Sequence, residues 1–261
     1  MRLGFVGTGT ITRAIVTGLC TAPGAPEQIW VSPRNAQTAA SLASTYPSVR
    51  VAAANQQLLD EVDTVILAVR PQVALEVLEP LVFQAHQRIV SLIASLSLEQ
   101  LATLVAPASS VTLAAPLPAV ASHLGPTAIF PPDAATATLF ARISAVVPVP
   151  LRSQFDALMS CTAQMSSYFA LLQLCADFLS QQGVPEGVAR QYVAALFHAL
   201  GHTALTDTDH SFQQLSLEHQ TRGGLNEQFA AELAAAGVFQ SHATGLQHIL
   251  RRIQGLKPAS K

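Results

Sequence analysis

The feature that most constrains this fold is a glycine turn at the start of the chain. The apolar run Leu3-Gly4-Phe5-Val6 leads directly into Gly7-Thr8-Gly9-Thr10-Ile11-Thr12, after which apolar residues recur at helical spacing. A strand that turns through glycine into a helix opens a βαβ crossover. Such crossovers build a parallel sheet covered by helices on both faces. The pattern repeats along the first half: strands are expected at 3–7, 28–32, 49–53, 64–69, 88–93, 111–115, 127–130 and 145–149, with helices at 11–20, 35–46 and 73–83. Runs such as Val65-Ile66-Leu67-Ala68-Val69 suit strands buried on both faces.

The pattern changes near Pro148 and Pro150. From Gln154 onward only helical spacing remains, over about 154–182, 185–204, 212–220, 224–236 and 240–254, and residues 257–261 read as a frayed tail. The expected fold class is therefore α/β: a Rossmann-type doubly wound sheet over 1–150, then an all-α dimerisation and substrate domain over 151–261. Of the 261 residues 50% are hydrophobic and only 11% charged, with a formal net charge of −2. No basic stripe marks a nucleic-acid binder, and the apolar runs are too interrupted for membrane spans. So little charge on so many helices predicts that a second copy covers part of them, as a homodimer or larger homo-oligomer. The opening strand leaves no place for a signal peptide, and the three cysteines (Cys20, Cys161, Cys175) are odd in number and unevenly spaced; both features suit the cytoplasm.

The glycine turn carries the clearest chemistry. Gly7 permits the tight bend, Gly9 lets backbone approach a pyrophosphate without a Cβ in the way, and the helix start at Thr10 and Ile11 offers unpaired N–H groups to phosphate. Thr12 stands where the third glycine of the G-x-G-x-x-G pattern would be. At the end of the second strand, Trp30-Val31-Ser32-Pro33-Arg34-Asn35 contains no acid to bind a ribose 2′-hydroxyl. The hydroxyl of Ser32, the amide of Asn35 and the guanidinium of Arg34 form a candidate cradle for a 2′-phosphate, so NADP(H) is expected rather than NAD(H). The same residues also suit a helix cap.

Gly7-x-Gly9-Thr10-Ile11-x-x-Ala14, then Val31-Ser32-Pro33-Arg34, then Val69-Arg70-Pro71-Gln72 resemble the pyrroline-5-carboxylate reductase family, with its G-x-G-N-M-x-x-A, V-S-x-R-like and V-K-P-Q turns. The resemblance implies a helical C-terminal half interlocked with a second subunit and hydride transfer from NADPH to a cyclic imine carboxylate, giving proline. It places Val69, Arg70 and Pro71 beside the nicotinamide. It also assigns the substrate to the stretch that the family writes S-P-G-G-T-T and this chain writes Thr221-Arg222-Gly223-Gly224-Leu225-Asn226. Arg222, Gly223, Gly224 and Leu225 would then bind the substrate, backbone N–H groups at the helix start taking its carboxylate, while Thr221 and Asn226 face the reacting end and Asn226 hydrogen-bonds the ring nitrogen.

This chain departs from the family in its substrate half. Arg222 adds a cation where the family has proline, the glycines of S-G-S-G-P-A-Y are missing from Cys161-Thr162-Ala163-Gln164-Met165-Ser166-Ser167-Tyr168, and the M-P-N-T-P-A loop is reduced to Ala115-Pro116-Leu117-Pro118-Ala119. Those departures keep two further readings open: a reductase of a different imine or of a hydroxy or keto acid, and a non-catalytic NADP-binding protein. Imine reduction itself needs orientation more than a side-chain acid. A lysine-dependent hydroxyacid dehydrogenase is disfavoured, because the lysines here are Lys257 and Lys261, both in the tail. His219 would be the base of an alcohol oxidation, and Tyr168 could face substrate or pack in a core. His198 and His202 have the i, i+4 spacing of metal ligands but lack the intervening glutamate, so no metal site is expected.

Overall fold

The computed structural model describes residues 2–24 and 26–256; the tail read at 257–261, with both lysines, lies outside them. The chain divides into two compact units, Met1–Met159 and Ser160–Lys261.

The first unit is an eight-stranded sheet in the order β3-β2-β1-β4-β5-β6-β7-β8. The strands are β1 (Arg2–Val6), β2 (Gln28–Val31), β3 (Val49–Val51), β4 (Thr64–Leu67), β5 (Arg88–Ser91), β6 (Ser110–Pro116), β7 (Pro126–Phe130) and β8 (Ala145–Pro148). All pair in parallel except β6 with β7. Alternation along the strands divides the core between the faces. Leu3, Phe5, Ile66 and Val90 pack on one face with α1 (Thr10–Thr21), α2 (Ala36–Thr45) and α6 (Ala134–Phe140). Val6, Val65, Leu67 and Ile89 pack on the other with α3 (Asn55–Asp60), α4 (Ala74–Leu78) and α5 (Leu98–Leu104). Helices on both faces make the sheet doubly wound. The short helices α3, α5 and α6 stand where the sequence suggested only connections, and the helix expected at 73–83 contracts to a 3₁₀ turn (Pro71–Val73) followed by α4.

The unit boundary lies later than the composition change near 150. The helix α7 (Arg152–Thr162) begins on the sheet: Phe155 is fully buried beside Val6 and Leu67, and the Arg152 guanidinium donates to Ala94 O at 2.7 Å while pairing with Asp156 at 2.7 Å.

The second unit contains α8 (Met165–Gln181), α9 (Glu186–Thr206), α10 (Phe212–Glu218), α11 (Leu225–Ala235) and α12 (Val238–Ile253). The helix expected at 154–182 is broken between α7 and α8, where Ala163 N–H and Gln164 N–H donate to carbonyls three residues back. α8 packs on α9 and α11 on α12. Within the unit the hydrophobic side chains buried below one-tenth exposure are Ala189, Val193 and Leu215, and α8, α11 and α12 bury none among the described residues.

Candidate functional site

Parallel pairing of β1 with both β2 and β4 brings the turns that follow these three strands to one edge of the sheet, at its carboxyl end. In open α/β sheets that edge is where ligands bind. The glycine turn lies in the middle. Gly7 has φ +104°, and a Cβ on it would lie 2.5 Å from Ala68 O, so only glycine fits without strain. A Cβ on Gly9 would meet nothing within 4 Å, so the space a phosphate needs is present there. Gly9 caps α1 with no side-chain hydrogen bond, which leaves the first-turn N–H groups at Thr10 and Ile11 available to an anion.

Thr12 explains the missing third glycine. It is fully buried, and its hydroxyl donates to Gly7 O at 2.7 Å, so the side chain that departs from the pattern fastens the turn. Thr8, which the sequence reading passed over, is buried as well. Its hydroxyl donates to Ser32 O at 2.7 Å and lies 3.0 Å from Ser32 Oγ. Ser32 in turn accepts the Gly7 N–H at 2.9 Å. Ser32 is 1% exposed with its hydroxyl engaged on both sides, whereas the expected cradle would turn it toward a 2′-phosphate. Asn35 is exposed in the left-handed region (φ 65°), where a short amide side chain is tolerated, and its Nδ2 donates to Thr8 O at 3.1 Å. Arg34 is exposed and has no ion-pair partner among the described residues. In the third turn Val69 is half-buried, with its Cγ1 3.1 Å from the Gly7 Cβ position, and exposed Arg70 caps the 3₁₀ turn begun by Pro71. Gly7, Gly9, Thr10, Ile11, Arg34, Asn35, Val69, Arg70 and Pro71 are thus carried by three adjacent turns.

The expected substrate residues lie in the other unit, on the connection from α10 into α11. Thr221, Arg222, Gly223, Leu225 and Asn226 are exposed, and Gly224 is half-buried as the N-cap of α11. Neither glycine N–H is free: Gly223 donates to Glu227 Oε2 at 2.6 Å, and Gly224 donates to Thr221 O at 2.7 Å. Asn226 Nδ2 donates to His219 O at 2.8 Å, which leaves its amide oxygen as an acceptor. Glu227 follows the glycine pair by one turn, a spacing legible as a possible cap once the helix start is known. His219 Nδ1 contacts Leu215 O at 2.8 Å, which holds its ring against the end of α10. His198 and His202 are both exposed on α9, while Tyr168 stacks edge-on against Phe197 with ring centroids 6.0 Å apart.

Comparison with known proteins finds reductases similar to this chain. Residues 2–95 match the family described as "NADP oxidoreductase coenzyme F420-dependent". The pyrroline-5-carboxylate reductase of Synechocystis sp. is 28% identical over 98% of this chain and 98% of its own. Among solved structures, a 1-pyrroline-5-carboxylate reductase from Streptococcus pyogenes gives a TM-score of 0.84 at 22% identity, covering 98% of this chain and 99% of that one. A pyrroline carboxylate reductase from Plasmodium falciparum, solved with NADP bound, gives 0.81 at 14% identity, covering 98% and 97%. By fold over almost its whole length, and by a 28% sequence likeness of the same extent, the chain is similar to pyrroline-5-carboxylate reductases.

Proposed function

We propose that the protein reduces a cyclic imine of the pyrroline type with NADPH, in the manner that relatives named pyrroline-5-carboxylate reductase suggest. The observation that carries this reading is the sheet edge: a glycine turn with open space at Gly9, an uncapped α1, and the exposed Arg34 on the neighbouring turn. The first two features suit a pyrophosphate. Arg34 is the group suited to a 2′-phosphate, through a charge-assisted and potentially bidentate contact.

When bound, the reduced nicotinamide supplies the hydride. An imine that entered already protonated would leave as the neutral amine once hydride was added at its carbon, so the chain would need to supply no further proton. What the chain must supply is orientation and exclusion of water. Val69, Arg70 and Pro71 would line the nicotinamide side. The Thr221–Asn226 stretch would hold the imine, with Asn226 Oδ1 as acceptor for its N–H and the Arg222 guanidinium as the nearest cation for an acidic group. The helical unit is proposed to be completed by a second copy of the chain, because its apolar side chains lie largely uncovered in a single copy.

Oxidation of NADPH followed with pyrroline-5-carboxylate and a panel of other cyclic imines tests the reaction. Turnover with at least one imine is the expected result; tight NADPH binding with no turnover on any would point to the non-catalytic alternative. For the cofactor, wild-type protein should prefer NADPH to NADH by at least about tenfold, roughly 1.4 kcal/mol, and Arg34→Ala should abolish that preference. An unchanged ratio in Arg34→Ala would remove Arg34 from the phosphate site.

A further inference from the structure

We propose that Ser32 and Thr8 form a latch that sets the conformation of the glycine turn, so that Ser32 acts on dinucleotide binding from behind rather than by touching the adenosine phosphate. The inference rests on reading the three turns as a dinucleotide site.

The hydrogen-bond inventory has one arrangement that uses every donor. Ser32 Oγ accepts the Gly7 N–H at 2.9 Å. Thr8 Oγ1 donates to Ser32 O at 2.7 Å, so at the 3.0 Å contact between the two hydroxyls Ser32 is the donor and Thr8 the acceptor. Ser32 then has its only proton committed inside the protein, at 1% exposure. The same turn is held elsewhere by Thr12 Oγ1, which donates to Gly7 O at 2.7 Å, and by Asn35 Nδ2, which donates to Thr8 O at 3.1 Å. Both polar groups of the Gly7 backbone are therefore tied by side chains, which fixes one conformation at a glycine free to adopt many. Removal of the Ser32 side chain would leave the part-buried Gly7 N–H without its partner, while the Thr8 hydroxyl would keep only its bond to Ser32 O. Released from the latch, the turn no longer presents Gly9 and the start of α1 in fixed register.

A positioning defect has a signature that a lost phosphate contact does not. NADPH and NADH share the pyrophosphate, so the latch should matter equally to both. The test is fluorescence titration of the purified full-length chain with each reduced dinucleotide. Ser32→Ala and Thr8→Val should each raise both Kd values by about tenfold, leaving the NADPH-to-NADH ratio as in wild type. Thr8→Ser, which keeps the hydroxyl, should restore wild-type affinity. The double variant should cost no more than the larger single one, as expected of two halves of one device. Weakened binding of NADPH alone in Ser32→Ala would overturn the proposal in favour of direct phosphate contact. So would unchanged binding of both, or independent addition of the two single effects. Circular dichroism checks folding, and should Ser32→Ala fail to fold, the Thr8→Val and Thr8→Ser pair carries the test. Failure of the wild type to bind either dinucleotide would overturn the site itself, a result distinct from any change among variants.

Discussion

At the scale of single residues, Glu227 would alter what the loop before α11, the proposed substrate site, can offer. Its carboxylate takes the Gly223 N–H at 2.6 Å, so an incoming carboxylate must displace it or be held by Arg222. A charge-assisted hydrogen bond of this kind is worth about 1.5–3 kcal/mol. Glu227→Ala should therefore lower KM for an imine that carries a carboxylate by about tenfold, roughly 1.4 kcal/mol, while leaving KM for an uncharged ring such as 1-pyrroline unchanged. Steady-state rates with the two substrates decide it, and equal KM values in the variant and wild type would reject the role. Such residues mark the limit of what the sequence shows. The types Ser, Arg and Asn after β2 were readable as polar groups near a phosphate. Which of them faces inward depends on the strand's pleat and on Thr8 across the turn, and neither is visible in a one-dimensional pattern. The glycine pair before α11 was readable as backbone N–H groups, but their prior occupation by Glu227 was not.

At the scale of elements, α6 shows how a short helix is held without a periodic pattern long enough to reveal it. Asp133 is its N-cap, accepting the Thr136 N–H at 2.7 Å, and the same carboxylate pairs with Arg88 of β5 at 2.6 Å while that guanidinium also reaches Ser110 of β6. Partial burial pushes the Asp133 carboxyl upward, but the Thr136 N–H bond and the Arg88 charge outweigh it, so it titrates below the ordinary aspartate range. A carboxyl depressed on folding stabilises the protein above its unfolded pKa of about 3.9, and that contribution is lost as pH falls through the folded value. Asparagine caps a helix about as well as aspartate, so Asp133→Asn isolates the charge. The variant should be about 1 kcal/mol less stable at pH 7, with the gap closing below about pH 4, measured by urea unfolding. A gap that stays constant across that range would assign the effect to the cap. Each of the eight strands was legible, the central ones because burial on both faces leaves a run of β-branched and aliphatic residues. The reversed direction of β7 was not, since antiparallel pairing there follows from the 3₁₀ turn at Pro118–Ser122 and the chain's return. The break between α7 and α8 carries neither glycine nor proline, so nothing in the residue types announced it.

For the whole molecule, the two units differ in where their apolar side chains go. The sheet unit encloses Phe5, Phe83, Phe140 and Phe155 almost completely, whereas the helical unit leaves Phe169, Leu174, Phe178 and Phe229 each more than half exposed in a single copy. Soluble monomers seldom present contiguous apolar patches beyond a few hundred Å², and a stable interface between copies buries roughly 1,200–2,000 Å² in total. The low charge of the chain already pointed to covered helices, and the structure places these four side chains on α8 and α11. If a second copy covers them, sedimentation at micromolar concentration should give a dimer or larger species, and the midpoint of thermal unfolding should rise with protein concentration. Phe169→Asp and Phe229→Asp should each yield monomer, because a carboxylate buried in that interface has no partner to offset its desolvation. Val82→Asp is the control: Val82 is 63% exposed like Phe229, but it lies on the sheet unit, and its substitution should leave the assembly unchanged. Monomeric wild-type protein with a concentration-independent midpoint would mean that the helical unit stands alone. The Asp variants would then be as stable as wild type, and the apolar faces of α8 and α11 would need a partner other than this chain.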